Sequence, residues 1–210
     1  MSLKNRIIGL AAIGAAALAV AAPLASAKQA AVAKTVLPST SACSTLSYSQ
    51  VFLPFGDANL YFLTPQGSFE GAIDGWTITG SAKVVADAGY AGGPVADTAS
   101  LELSAGSTAT SPPICANAST PTFRFFAKAL AAGAGTAGVG VSYLDASGNK
   151  YKGSGSFVAT AGWNPTAEMR VRTNKIAVDA SGWGSIQISV TAPSNSALRI
   201  DDLYLDPRMH

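Results

Sequence analysis

The chain has a single histidine, and it is the last residue, His210. Hydrolases with a serine or cysteine nucleophile need a base beside that nucleophile, and histidine usually supplies it. The glycine-serine stretch at 153–156 also lacks the setting of a nucleophile elbow. Two carboxylates can serve a glycosidase, but Glu70 and Asp202 are the only pair expected to lie close, and a structural role fits them better. We therefore predict a protein that is not an enzyme.

Charge is scarce as well, at 12% of the residues, and its distribution predicts export. Lys4 and Arg6 precede an apolar run over residues 7–22, and Ala25-Ser26-Ala27 provides the small residues of a cleavage site, which predicts a signal peptide over 1–27. The run is short for a membrane span, which needs about 20 apolar residues. A retained anchor is the alternative to cleavage; after cleavage we expect no membrane span and a secreted, extracellular protein.

The charge that remains after cleavage has no excess of either sign. The signal peptide contains two of the 14 basic residues and none of the 12 acidic ones, so the rest carries 12 of each. A neutral chain has no overall field that attracts nucleic acid or anionic lipid. We therefore expect no nucleic-acid partner, and a monomer.

Cysteine is nearly absent, with Cys43 and Cys115 the only two. In an exported chain the oxidising compartment favours a disulfide between them, and two buried thiols are the alternative. Two cysteines with no nearby histidine cannot form a structural zinc site. Residues 28–42 read as a flexible leader, and the aromatic clusters that follow are expected to wrap against the main domain through Cys43.

Long helical patterns are missing beyond residue 27, and short alternating segments separated by turns take their place. Phe123, Phe125 and Ala127 share one parity, and turn residues recur about every 8 to 12 positions. This pattern predicts an all-β antiparallel β-sandwich, a jelly roll of about nine strands, over a single domain at 43–210. We expect a loop at Trp163-Asn164-Pro165.

The last strand has an alternation that slips. Leu198 and Ile200 share one parity, whereas Leu203 and Leu205 fall on the other. A β-bulge at Asp201-Asp202 is predicted, because a bulge shifts the parity of a strand by one residue. The stretch GSFEGAIDGW at 67–76 is predicted to lie beside this strand, as a strand that closes the domain.

GSFEG, the following GW and the late IDD resemble the two ends of galactose-binding-like jelly rolls, of which the CenC-type carbohydrate-binding modules are the nearest named group. SPPIC, FRFFAK and IDDLYLDP extend a resemblance over 43–208 to a class of secreted actinobacterial proteins with no established activity. In the carbohydrate-binding group an acid after the first Phe and an aspartate of the last strand often share a structural calcium. Carried over, these are Glu70 and Asp202. The alternative is that both carboxylates bind backbone amides or a base such as Arg199.

Sugar binding needs flat aromatic faces together with planar polar groups. Trp163 and Trp183 lie in turn-rich, polar contexts, and Tyr90 and Tyr151 are similarly placed. Arg124, Arg170 and Arg172 point away from the apolar parity and are candidates to line a polar groove. The predicted ligand-binding residues are Trp163, Trp183, Tyr90 and Arg124. The alternatives are that the aromatic rings cover the core, as Trp76 is expected to do, and that the arginines form a solvated face. The leading hypothesis is a secreted, non-catalytic module that binds polysaccharide or cell-wall glycan. The alternative is a structural or protein-interaction domain at the cell surface.

Overall fold

The computed structural model describes Cys43 and residues 45–89, 97–133 and 135–206. The predicted signal peptide (1–27), the predicted leader (28–42) and Tyr90 lie outside these residues. Within the described part of the chain, no helix has the length and apolar character that crossing a membrane requires.

The described residues form two antiparallel sheets packed face to face, so the predicted all-β sandwich is confirmed. The first sheet has seven strands: β1 (Phe62–Leu63), β3 (Ala82–Val85), β4 (Ser100–Leu103), β7 (Thr122–Ala129), β10 (Asn164–Pro165), β11 (Met169–Arg170) and β13 (Leu198–Asp206). The second has six: β2 (Thr77–Thr79), β5 (Thr108–Thr110), β6 (Ile114–Ala116), β8 (Ala137–Leu144), β9 (Lys150–Phe157) and β12 (Gly184–Thr191). Single turns of 3-10 helix cover Leu53–Phe55 and Thr173–Lys175.

Side chains of alternating parity from both sheets make the core between them. In β12, Ile186, Ile188 and Val190 are buried while the residues between them are half-buried. Facing them across the sandwich are Phe123 and Phe125 of β7. Burying branched and aromatic side chains on one face of each sheet is the main favourable contribution to this fold. Trp76 is also in this core, as the sequence predicted.

The strand order decides which edges stay open. In the first sheet the order is β10-β7-β13-β4-β3, with β11 also paired to β7 and β1 to β13. In the second it is β2-β5-β12-β8-β9, with β6 paired to β12. Strand β9 therefore lies at an edge of the second sheet, and β10 and β11 border β7 in the first.

An arm that precedes β1 covers part of the outer face of the first sheet. A disulfide joins Cys43 to Cys115 of β6, which confirms the predicted pairing. Phe52 lies on the outer side of β7, with its ring centroid 5.5 Å from that of Phe126, and Arg124 lies 4.4 Å above the Phe52 ring. The arm thus buries the outward-facing residues of β7, which alternation alone would leave in solvent.

The junction between the two ends of the sandwich differs from the prediction. Residues 67–76 form turns, and the strand beside β13 is β1 instead. The ends are still joined, because Leu203 accepts a hydrogen bond from the Thr64 amide (2.9 Å) and donates one to the Gly67 carbonyl (3.1 Å). The pairing of β13 with β7 shifts between Asp201 and Tyr204, and Asp202 has φ 51°, so the predicted bulge is confirmed.

Two smaller expectations were wrong. The described residues contain thirteen strands where the sequence suggested about nine. Asn164–Pro165 is a short strand paired with β7, and only Trp163 of the expected loop lies outside it. Strands of two residues carry no periodic pattern, so alternation could not reveal them.

Candidate functional site

A cleft of about 620 Å³ opens where β9 of the second sheet faces the β7–β11 side of the first. Its size is typical of small-molecule and glycan sites, which span about 300–1,000 Å³. The residues that line it are Pro121, Thr122, Phe123, Val139, Val141, Tyr151, Gly153, Ser154, Gly155, Ser156, Met169, Arg170, Val171 and Arg172.

Two glycines of β9 create this space. Gly153 lies opposite Val141, and Gly155 lies opposite Val139, so both glycines occupy the core-facing side of the strand. A Cβ on Gly153 would come within 3.3 Å of the Tyr151 ring, and one on Gly155 within 3.3 Å of a Val139 methyl. Since no side chain fills the inner layer at these two positions, the two sheets leave a gap that opens at the edge.

Aromatic contacts hold the inner face of β9 on both sides of the glycines. Tyr151 stacks on Tyr143 with ring centroids 4.6 Å apart, and Phe157 meets Phe125 edge to face at 5.1 Å. The Tyr143 hydroxyl donates to the Arg172 carbonyl, which ties the second sheet to the far wall of the cleft. Tyr151 is half-buried, and its hydroxyl has no hydrogen-bond partner among the described residues. Stacking thereby fixes the Tyr151 ring, and the Tyr151 hydroxyl can still form a hydrogen bond with a ligand.

Arg170 and Arg172 stand on the opposite wall. Arg170 pairs with Thr122 in the β11–β7 ladder, and the Val171 amide donates to the Pro121 carbonyl at 2.7 Å. Val171 is buried between the two arginines, so both guanidinium groups are on the exposed side of one extended segment. The sequence left two roles open for these arginines, a polar groove or a solvated face, and in the structure both residues line the cleft.

The cleft itself was not predicted, although β9 contains a signal for it. Its core-facing positions are Tyr151, Gly153, Gly155 and Phe157, so two glycines replace the apolar residues that alternation would require. Glycine inside a strand often marks the close approach of a ligand or of another backbone.

The predicted ligand-binding residues are dispersed in the structure. The half-buried Trp163 donates from Nε1 to Asp87 (3.2 Å) beside Lys128, on the outer face of the first sheet. Trp183, also half-buried, precedes β12 in the other sheet. Arg124 lies under the arm, bonded to Asp57 (2.6 Å) and to the Thr166 carbonyl (2.8 Å). None of these three side chains lines the cleft.

Glu70 binds the loop that leads into β4. Its carboxylate accepts the amides of Thr98 (2.7 Å) and Ala99 (2.8 Å) and the Thr98 hydroxyl (2.6 Å). Partial burial opposes ionisation, but these hydrogen bonds outweigh it and lower the Glu70 pKa. Glu70 therefore satisfies backbone amides, which is the alternative to calcium binding that the sequence left open. Arg199 pairs elsewhere, with Asp87 and Glu102.

Asp201 and Asp202 form a buried acidic pair at the bulge of β13. Burial, reinforced by Asp202 and Asp97, raises the pKa of Asp201 to about 9. Burial, reinforced by Asp97 and Glu70, raises that of Asp202 to about 7. No described lysine or arginine forms an ion pair with either aspartate. The fold therefore places Glu70 and Asp202 in one acidic neighbourhood that favours protons or a cation.

The fit of calcium to this neighbourhood is partial. Among the described residues, no three His, Cys, Asp or Glu side chains are arranged to hold a metal ion. Both Glu70 oxygens already accept hydrogen bonds, so Asp202 is the better placed of the two predicted ligands. Calcium prefers six to eight oxygens, so a site here would draw most of them from backbone carbonyls.

The sequence matches no protein-family model and no curated protein. Among solved structures, the CBM22-1–GH10 modules of Clostridium thermocellum xylanase 10B, complexed with xylohexaose, align with a TM-score of 0.50 and 21% identity over 68% of this chain and 28% of that one. The family 16 carbohydrate-binding module-2 aligns with a TM-score of 0.48 and 20% identity, over 68% of this chain and 98% of that one.

The enzymatically active domain of tailspike protein 4 from bacteriophage CBA120 aligns with a TM-score of 0.47 and 18% identity, over 68% of this chain and 21% of that one. This chain thus spans less than a third of the tailspike and xylanase chains. At 21% identity the likeness to the xylanase modules shows the fold alone, an all-β sandwich. One fold supports many functions, so the ligand has to be argued from the cleft.

Proposed function

We propose that this protein is a non-catalytic carbohydrate-binding module that acts outside the cell and binds a polysaccharide or cell-envelope glycan in the β9 cleft. The observation that carries the proposal is the cleft itself, with an apolar floor of Phe123, Val139 and Val141 and a polar rim. Sugar rings present apolar C–H faces and a circumference of hydroxyls. A site of this composition matches both parts of such a ligand.

Tyr151 is the residue that would contact the flat face of a sugar ring. Its stacking on Tyr143 fixes the ring before any ligand arrives, which lowers the entropy lost on binding. The free hydroxyl of Tyr151, together with Ser154 and Ser156 on the rim, provides donors and acceptors for sugar hydroxyls. At the β9 edge, alternate backbone groups also point away from β8, because this strand has one neighbour.

Two further observations support this function and its location. The disulfide between Cys43 and Cys115 favours an oxidising, extracellular setting. Similarity to carbohydrate-binding modules, one of them part of a chain solved with xylohexaose, makes a glycan the first ligand class to test. We propose a non-catalytic role because Glu70, one of the two carboxylates that could serve a glycosidase, accepts hydrogen bonds from the Thr98 and Ala99 amides instead.

Retention on insoluble polysaccharides tests the proposal. We expect the wild-type chain to be retained on at least one glycan, and Tyr151→Ala to weaken that retention about tenfold, which is about 1.4 kcal/mol of binding free energy. The Trp163→Ala, Trp183→Ala double variant tests the site predicted from sequence against the cleft. If only the tryptophan variant lost retention, the glycan would bind near Trp163 or Trp183 and not in the cleft. No retention of the wild type on any glycan would overturn the proposed function.

A structural or protein-interaction role is the second candidate, and the arm supplies the observation for it. Leu53, Phe55 and Leu60 are 53%, 41% and 39% exposed. Exposed apolar residues close together in sequence can mark a contact surface. Light scattering of the wild type and of Leu53→Ser, Leu60→Ser would test self-association through the arm. A monomer in both would argue against association through this surface.

We also propose a calcium ion at the bulge, held by one of the two side chains that the sequence suggested. Asp202 is the expected side-chain ligand, the negative charges that act on it are those of Asp97 and Glu70, and Glu70 also binds the loop beside them. A cation there would offset the repulsion among buried carboxylates and fix the bulge. Its role would be structural, at a place separate from the residues that line the cleft.

A further inference from the structure

The four described arginines divide into two pairs. Arg124 forms an ion pair with Asp57, and Arg199 forms ion pairs with Asp87 and Glu102. Arg170 and Arg172 form no ion pair with any described residue. The two arginines without an acidic partner are the two that line the cleft.

The cleft carries a positive charge that its own lining does not neutralise. None of its fourteen lining residues is an aspartate or glutamate. Two acids lie close to the lining in sequence but outside it: Glu168 accepts a hydrogen bond from Asn59 (3.3 Å), and Asp145 accepts the Ser147 and Asn149 amides (2.9 and 2.8 Å). Lys150 and Lys152, exposed on the outer face of β9, add to the same positive region. This local excess stands out against a chain that is neutral after the predicted cleavage.

We propose that the cleft binds an acidic glycan, one that carries carboxylates as uronic acids do, and that Arg170 and Arg172 bind those carboxylates. The inference rests on the proposed function and specifies its ligand class. Guanidinium groups bind carboxylates through two parallel hydrogen bonds, which gives both affinity and orientation. Arg170 and Arg172 are two residues apart on an extended segment, so their Cα atoms are about 7 Å apart, which suits successive charges along a polymer.

The structure favours a glycan over an acidic peptide as the occupant. An extended peptide would bind by adding a strand to β9, and every second side chain of that strand would point to the same side as the inner face of β9. The inner face offers Tyr151 beside two glycines, which suits a flat ring better than alternating side chains.

Matched polymers test the charge requirement. Polygalacturonate and its fully methyl-esterified form share a backbone and differ in charge, and xylan serves as a neutral reference. We expect the wild type to bind polygalacturonate at least about tenfold more tightly than the ester. That preference should weaken as salt rises from about 0.05 M to about 0.5 M, because ions screen partly exposed charges. Equal affinity for the two polymers would overturn the acidic-glycan assignment.

Variants locate the effect within the chain. Arg170→Gln, Arg172→Gln should abolish the preference for polygalacturonate, whereas Lys83→Gln, Lys128→Gln removes the same charge from the first sheet, outside the cleft lining and away from β9, and should keep it. An unchanged preference in the arginine variant would also overturn the inference. Poly-glutamate is a third arm, and binding as tight as that of polygalacturonate would exclude specificity for a glycan.

The outcomes separate this inference from the proposed function. Binding to xylan or to the ester as tight as to polygalacturonate would leave the carbohydrate-binding proposal intact and remove the acidic preference. Binding to none of the glycans would remove both. Thermal melts of each variant confirm that the compared proteins are folded.

Discussion

Gly155 lies directly opposite Val139 across the β8–β9 ladder, on the side that faces the other sheet. At most inward-facing pairs of a β-sandwich two side chains pack together. Here the glycine has no side chain, and Val139 is 8% exposed. The opening beside Val139 is part of the candidate site. The site therefore exists because a core position holds no side chain, rather than because a loop projects a residue into solvent.

Filling that position should block the cleft. We expect Gly155→Val to weaken glycan retention about tenfold or more, because the new side chain occupies the space beside Val139. The matched control is Gly138→Val on the opposite face of the same sheet, where a Cβ would make ordinary contact with Thr191 at 3.4 Å. Retention assays on folded protein provide the measurement. Equal retention by the two variants would place the ligand elsewhere.

The junction of Thr64 and Gly67 with Leu203 has no room for a methyl group on Gly67. A Cβ on Gly67 would lie 2.5 Å from the Thr64 hydroxyl and 2.9 Å from the Leu203 carbonyl. We expect Gly67→Ala to lower the free energy of unfolding by about 1–3 kcal/mol, the usual cost of overpacking. Gly71→Ala is the control, since nothing lies within 4 Å of a Cβ there. Urea denaturation measures both, and equal midpoints would contradict the tight junction.

The acidic pair at the bulge should make stability depend on pH when calcium is absent. The pKa values of Asp201 and Asp202, about 9 and about 7, exceed that of an unfolded aspartate. The folded chain therefore holds these protons more tightly, and the stability they contribute is full below about pH 4 and is lost as the pH rises through about 7 to 9. In chelator, we expect the melting temperature to fall from about pH 5 to about pH 9.

Calcium should offset that loss if it binds at the bulge. At 100 times its dissociation constant, a ligand stabilises the folded state by about 2.7 kcal/mol. Asp202→Asn should reduce both the calcium response and the pH dependence, since asparagine tolerates the positive φ but carries no charge. Melting curves with and without chelator measure both effects. Identical curves in calcium and chelator at high pH would exclude calcium from this structure.

Arg124 should matter for stability rather than for ligand binding. Its ion pair with Asp57 lies under the arm, with the two side chains 10% and 11% exposed. Arg124→Ala would leave the Asp57 carboxylate largely buried without its cation, at a cost of about 3 kcal/mol. Arg170→Ala, at an exposed position, should change stability by less than about 0.5 kcal/mol. Arg124→Ala should lower stability and keep glycan retention, whereas Arg170→Ala should keep stability and lower retention. Denaturation and retention assays measure the two effects, and a similar result for both variants would contradict this division of roles.

The sequence was sufficient where a pattern repeats over several residues or where chemistry allows one pairing. Alternation in β7, β8 and β12 predicted the sandwich and its inner faces, because a strand buries every second residue. Two cysteines in a chain predicted to be exported favoured one disulfide, between Cys43 and Cys115. The parity slip before Leu203 predicted the bulge, because an extra residue reverses the faces of a strand.

Tertiary structure alone decided what covers each face and where space remains. Alternation placed Arg124 outward on β7, but it could not show that the arm would bury it, since that contact joins residues 67 positions apart. Glycine spacing in β9 was visible in the sequence, yet a gap forms only because β9 is an edge strand facing β11. Local sequence determines which side of a strand a residue occupies, and the packing of distant segments determines whether that side is core, covered surface or cleft.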